Sequence, residues 1–211
     1  ITASDAIVYN QVEFRRVVNN WLLFTKNNDV VVTLGIKPTR PETGYGYIET
    51  KKLIDGEIYS VNAFKEKPDS VIAQMYFSKK YFLWNAGIFV WNINTISKMI
   101  SEYVPSIARI MDEILSTGNL TDLFPLCEKI SIDFAVMEPA AKEGKVYCHP
   151  EDVGWSDLGC WTSLFGQLPK DKENNAIVGN ILLHDCKNCI VHGNSQKRIL
   201  IQGLDGYIVS E

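Results

Sequence analysis

No part of this sequence is basic enough to neutralise a phosphate backbone. Its 21 Lys and Arg face 25 Asp and Glu, the net charge is -4, and the cations form no run, so nucleic acid is disfavoured as a partner. Long apolar runs are missing as well. None approaches the roughly 18 residues of a membrane span, and the opening ITASDAIV lacks the charged and apolar regions of a secretory signal. A cytoplasmic protein with no membrane partner is the expectation. Ser4, Ser70 and Ser156 have no Gly-x-Ser-x-Gly around them and histidines number only 3, which leaves an acyl-transfer triad without parts. Cys127, Cys148, Cys160, Cys186 and Cys189 are odd in number, arguing for reduced thiols over a disulfide framework.

What remains is a chain of 211 residues, 46% hydrophobic, enough to fill a core. Phe14, Val17, Val18, Trp21 and Leu22 recur at helical spacing and predict an amphipathic helix over residues 11–26. The run from Val30 to Ile36 is apolar on both faces, as in a strand covered on either side. Helix followed by buried strand indicates α/β. Two prolines and Gly44-Tyr45-Gly46 then mark a loop before a strand at residues 47–49. Strands are expected over 58–64 and 83–91, with a helix over 70–79 between them. Asn85 and Gly87 are odd residues for so apolar a strand and invite a ligand there. Ile107, Ile110, Met111, Ile114 and Leu115 predict a helix closed by Gly118, a short helix follows near residues 120–127, and residues 131–138 predict one ending at Pro139. Strand character returns at 146–149. Beyond the polar stretch 169–175 only short strand-like runs occur. The expected organisation is therefore an α/β core over residues 1–172 and a β-rich segment over 173–211.

Several groups have the chemistry for a site. Asp5 and Asp157 sit in short polar segments beside apolar residues, where two carboxylates could share one Mg²⁺; the commoner role of such acids is a helix cap or solvated turn. Gly44 and Gly46 let backbone approach a ligand, although a simple turn explains the tripeptide too. Glu66 and Lys67 are either an exposed pair or contacts for a sugar and a phosphate. His184, Cys186, Cys189 and His192 offer zinc-ligand types, but their spacing spreads them over both faces of a strand, and packing between strands is the preferred reading.

In order along the chain, VVTLGIKPTRPETGYGYIE, VNAFKEKPD, YFLWNAGIFVW, SIDFAVMEPA and DVGWSDLGCWTSL closely resemble the mannose-1-phosphate guanylyltransferases, the GDP-mannose pyrophosphorylases of the nucleotidyltransferase family. The resemblance implies a mixed-sheet, Rossmann-like α/β core followed by the start of a β-helix-like region. It implies an enzyme in which the phosphate of mannose 1-phosphate attacks the α-phosphorus of GTP and pyrophosphate leaves, with Mg²⁺ as cofactor. Carried onto this chain, Asp5 and Asp157 are the metal aspartates, and Gly44, Tyr45 and Gly46 lie along the sugar. Glu66 accepts hydrogen bonds from sugar hydroxyls, Lys67 meets phosphate, and Asn85 adds a further bond to the sugar. A different sugar 1-phosphate with UTP or dTTP, or a non-catalytic sugar-phosphate-binding relative, are the alternatives.

Two departures from the family pattern stand out. Ala6 occupies the place of a histidine that usually follows the first aspartate. The glycine-rich triphosphate loop, expected upstream of Asp5, is not found in the sequence. The expectation is an N-terminally truncated core that carries the sugar and metal side of the site, is inactive alone, and exposes apolar edges through which it could pair as a homodimer.

Overall fold

The structure, a computed structural model, describes residues 1–211 except Cys160 and Ser195, and leaves the side chains of Asp55 and Thr162 undescribed. The thiol expected at Cys160 thus lies outside the described residues. The chain forms two compact units, one of Ile1–Ser4 with Val8–Trp155 and one of Asp5–Ile7 with Ser156–Glu211.

The first unit is built on five strands, β1 Val31–Ile36, β2 Tyr47–Asp55, β3 Ile58–Lys65, β4 Phe82–Trp91 and β5 Val146–Pro150. They close on themselves in the order β1-β4-β2-β3-β5. The sheet is mixed: β1 runs parallel to β5, and the other pairings are antiparallel. Strand β1 shows why its sequence is apolar throughout. Val31 packs into a cluster with Ile96, Met99 and Met137, whereas Val32 and Leu34 pack into a second cluster with Val17 and Trp21. Alternate side chains thus face different covering helices.

Helix α1, Gln11–Asn27, supplies Val17 and Trp21 and is capped by Asn10, whose side chain accepts from Glu13 N. Helix α2, Ser70–Phe77, is capped by Asp69 and gives Tyr76 to a third cluster with Tyr47, Phe82 and Trp84. Helix α3, Ile93–Tyr103, was not expected from the pattern, although Asn92 caps it and it buries Ile96 and Met99. Helix α4, Pro105–Thr117, ends as its sequence dictates, with Gly118 in the left-handed region at φ 71°.

Residues 131–138 depart from expectation. Pro139 does not end a helix there. A wide π turn, Asp133–Met137, closes with Glu138 N donating to Asp133 O, and helix α5, Glu138–Lys142, then runs through Pro139. Residues 132–142 are helical without a break, so Pro139 lies within the run just past the turn whose bonding has widened to i→i−5.

In the second unit a helix at Trp161–Gln167 precedes two parallel ladders. Strands Ala176–Val178, Ile190–His192 and Ile208–Ser210 form one, and Ile181–His184 with Ile199–Gln202 form the other. Cys186 and Cys189 are buried against Val191, and their thiols donate to the carbonyls of His184 and Lys187. His184 and His192 are exposed. The two cysteines are therefore a packing feature, and the two histidines stand outside it. Buried Asn175 pins the stack, accepting from Cys189 N and donating to Cys186 O and Asp171.

Of the glycines in the first unit, Gly35 leaves the least room for a side chain. A Cβ there would lie 2.5 Å from Cys148 Sγ and 2.6 Å from Leu83 Cδ1. Gly35→Ala is expected to lower stability in urea unfolding by about 1–3 kcal/mol; an unchanged midpoint would show that β1 and β5 can move apart.

Candidate functional site

The loop between β1 and β2 is held by its own side chains. Glu42 accepts from Gly44 N at 2.9 Å and from Arg40 Nε at 3.0 Å, while the Tyr47 hydroxyl donates to Glu42 O at 2.9 Å. Burial pushes the Glu42 carboxyl upward, but the Gly44 N–H and the Arg40 guanidinium outweigh it and hold the group below its ordinary range. The Arg40 guanidinium lies 5.9 Å from the Tyr45 ring and 5.4 Å from that of Trp84. Tyr45 meets Trp84 and Trp155 edge to face, at centroid distances of 5.1 and 5.6 Å. The loop is thereby braced on rigid aromatic surface.

This bracing delivers Gly46 to a polar cluster. A Cβ on Gly46 would lie 2.7 Å from Glu66 Oε2 and 3.5 Å from Asn85 Cβ, so glycine is what lets the loop backbone meet that carboxylate. Glu66 pairs with Lys67 at 3.1 Å. Lys67 follows β3 with φ 38°, a left-handed conformation that costs a side-chain-bearing residue energy and recurs at functional sites. Asn85 N donates to Gly46 O at 2.8 Å. Its side-chain Nδ2 donates to Asp133 Oδ1 at 2.9 Å, and its Oδ1 accepts from Gly87 N.

The structure thus brings Gly46, Glu66, Lys67 and Asn85 together and adds Asp133, which sequence reasoning missed. Its signal was a lone acid inside the apolar run ISIDFAVM. Burial pushes the Asp133 carboxyl upward, the negative charge of Glu66 adds to this, and the Asn85 hydrogen bond opposes it. Two acids, one cation and an amide meeting at a glycine backbone form a hydrogen-bonding floor suited to a polyhydroxylated, phosphorylated ligand. Gly44 stands apart from this floor, exposed beside Glu42.

Asp5 and Asp157 both fall in the second unit. Asp5 precedes and Asp157 follows two-residue strands, carrying Ile7 and Ser156, that pair with each other. Leu158 has φ 52°, and a Cβ on Gly159 would lie 2.6 Å from Asp157 Oδ2. The turn therefore folds the carboxylate back over a glycine, a cradle that any other residue would fill. Hard carboxylate oxygens that keep access to water suit Mg²⁺.

Among the described residues a separate group has metal-ligand types: Glu57, His149 and Glu151 place one ligand atom each within 4.8 Å of one another. Its hydrogen bonding opposes a metal. Trp21 Nε1 can only donate, and it lies 2.9 Å from His149 Nδ1. That nitrogen is therefore the acceptor, and the imidazole proton sits on Nε2, 3.4 Å from Glu57 and 3.8 Å from Glu151. Arg16 already balances the acids, pairing with Glu13, Glu57 and Glu151. A metal on Nε2 would push the proton onto Nδ1, against the Trp21 N–H. Burial also holds the imidazole below its ordinary pKa, outweighing Glu57 and Glu151.

Comparison with known proteins gives consistent matches. A family model described as nucleotidyl transferase matches residues 1–174. A mannose-1-phosphate guanylyltransferase of Escherichia coli is 34% identical over 200 residues, 85% of this chain and 42% of that protein. The alginate biosynthesis protein AlgA of Pseudomonas fluorescens is 31% identical across 100% of this chain and 45% of its own length. The chain thus spans less than half of these curated relatives. A solved structure titled mannose-1-phosphate geranyltransferase, from Thermus thermophilus, superposes with a TM-score of 0.88 at 28% identity, covering 100% of this chain and 61% of that one.

Two pH effects follow from the buried groups. A carboxyl raised in the folded state weakens folding at neutral pH, so Asp133→Asn is expected to raise the urea midpoint at pH 7. The gain should shrink as the pH falls through the folded pKa towards the ordinary value near 4. His149 acts in the opposite sense: its contribution is complete above about pH 6.5 and is lost as the pH falls towards its depressed folded value. In His149→Asn, which keeps an acceptor for Trp21 and cannot take up a proton, the decline in stability from pH 7 to pH 5 should be shallower; an equally steep decline would assign it to other groups.

Proposed function

The chain belongs to the nucleotidyl transferase family, and from that premise we propose that its protein transfers a guanylyl group from GTP to mannose 1-phosphate, releasing GDP-mannose and pyrophosphate. The observation that carries this reading is the approach of Glu66 to the Gly46 backbone with Lys67 alongside. A sugar seated there meets acceptors on one side and a cation on the other. Glu66 takes hydrogen bonds from two neighbouring hydroxyls, and Asn85 and Asp133 complete the floor.

Lys67 has a compact charge on a flexible stem and sits beside the sugar's acceptors. In this reading it holds the sugar phosphate, whose oxygen attacks the α-phosphorus of GTP. No covalent help from the protein is needed: positioning and charge neutralisation carry the reaction. Asp5 and Asp157 would hold Mg²⁺, which supplies neutralising charge for the phosphates of attacker and leaving group. Ring packing of Tyr45 against Trp84 and Trp155 keeps the sugar loop from moving when the substrate enters, so binding energy is not spent on ordering it.

The test is Mg²⁺-dependent pyrophosphate release by the complete protein, with GTP and mannose 1-phosphate compared against UTP and glucose 1-phosphate. The first pair should be turned over faster. Glu66→Gln should raise KM for mannose 1-phosphate by about tenfold to a hundredfold, the loss of one hydrogen bond to a charged group, and Asp157→Ala should abolish metal-dependent turnover. Preference for the uridine pair would overturn the substrate assignment, and an unaltered KM in Glu66→Gln the role given to that residue.

A further inference from the structure

The first unit carries a cleft of about 750 Å³ that shares none of Gly46, Glu66, Lys67, Asn85 or Asp133. Its size is that of a small-molecule site. Lys37, Lys51, Lys79 and Lys80 line it, and no Asp or Glu does, in a chain whose acids outnumber its Lys and Arg. Among the described residues none of these four lysines takes part in an ion pair, whereas Arg16, Arg40, Lys67, Lys145 and Lys197 each do. Four uncompensated cations around one cleft repel each other, and an anion between them relieves that repulsion.

The remaining lining is mostly apolar and includes the aromatic residues Tyr59, Phe77, Tyr81 and Phe82. Of these, Phe77 and Tyr81 are 38% and 43% exposed. Lys79 Nζ lies 5.7 Å from the Tyr81 ring centroid. The wall is fixed in place: both Thr50 N and Thr50 Oγ1 donate to Tyr81 O at 2.9 Å, which fastens the α2–β4 connection to β2. Cations beside exposed rings on a braced wall match a ligand with a phosphate chain at one end and a planar group at the other.

We propose that this cleft is a second ligand site, for a nucleoside polyphosphate, with the phosphates across Lys51, Lys79 and Lys80 and the base against Tyr81 and Phe77. The site is independent of the sugar-phosphate reading, because the two share no residue.

ATP in the presence of EDTA is the probe, since without metal the transfer site has little hold on it. Titration followed by backbone amide resonances should saturate, with shifts confined to residues 37, 50–51 and 77–83. The double variant Lys79→Gln/Lys80→Gln, altering two side chains that bear no ion pair, should weaken ATP at least tenfold while mannose 1-phosphate binding and thermal unfolding stay as in the parent. Raising the salt from 50 to 300 mM should weaken it severalfold. Inorganic tripolyphosphate should compete, but less tightly than ATP, and adenosine alone should not bind. Equal affinity for tripolyphosphate would overturn the nucleoside part of the proposal. Shifts centred on Gly46, Glu66 and Asn85, or an unchanged affinity in the double variant, would overturn the site itself.

Discussion

The side chain and backbone of Asn85 together hold three segments in place. Its N–H holds the β1–β2 loop through Gly46 O, its Nδ2 holds the π turn through Asp133, and its Oδ1 accepts from Gly87 N within its own strand. Strand β4 pairs regularly with β1 on either side of this point but shifts register between Thr33 and Gly35, and Gly87 takes φ 67°. An irregular stretch inside a buried strand leaves polar groups that need partners. Asn85 supplies one and, in doing so, ties the irregularity to two other segments. The site and the strand distortion are consequences of the same residue.

Around that point the electrostatics are unequal. Asp133 and Glu66 crowd two acids into a partly buried place, and Lys67 gives one of them a direct partner. Near His149 the reverse holds: Arg16 is bound by three acids at the surface while the imidazole below stays neutral, fixed by Trp21. The first arrangement keeps interaction capacity free for a ligand. The second commits the His149 Nδ1 to Trp21 and both nearby acids to Arg16, which is why a grouping with metal-ligand types is better understood as structure.

How much of this was legible in the sequence depended on how local each feature is. Helix α1 and strand β1 declared themselves because their burial follows a short period. Glu66, Lys67 and Asn85 stood out as polar residues at the end of, or inside, apolar strands. Asp133 did not, since its partner Asn85 is 48 residues away and its own neighbours suggest a plain helix. The Trp21–His149 bond spans 128 residues and has no local trace. Helix α3 was missed although Ile96, Met99, Ile100 and Tyr103 keep helical spacing behind Asn92, because the apolar run of β4 leads straight into it and blurs the start. Pro139 misled because a helix can continue through a proline where its hydrogen-bond ladder is locally widened, as it is over Asp133–Met137.

The parallel ladders of the second unit carry an implication for how such a chain can change over time. Ile181 stacks on Ile199 and Ile190 on Ile208, each pair eighteen positions apart, and Asn174, Asn188 and Asp205 are linked by side-chain hydrogen bonds at successive turns. Ile190 in turn stacks on Ala176, fourteen positions before it, so successive coils share strand positions while their turns differ in length. Duplication or loss of a whole coil preserves every inward-facing position, whereas a single-residue insertion within a strand turns its side chains inside out. Lengthening by complete coils is the easier direction for evolution here, and the turns, where Asn174, Asp185 and Asn188 already adopt left-handed backbone, are where smaller insertions would be absorbed.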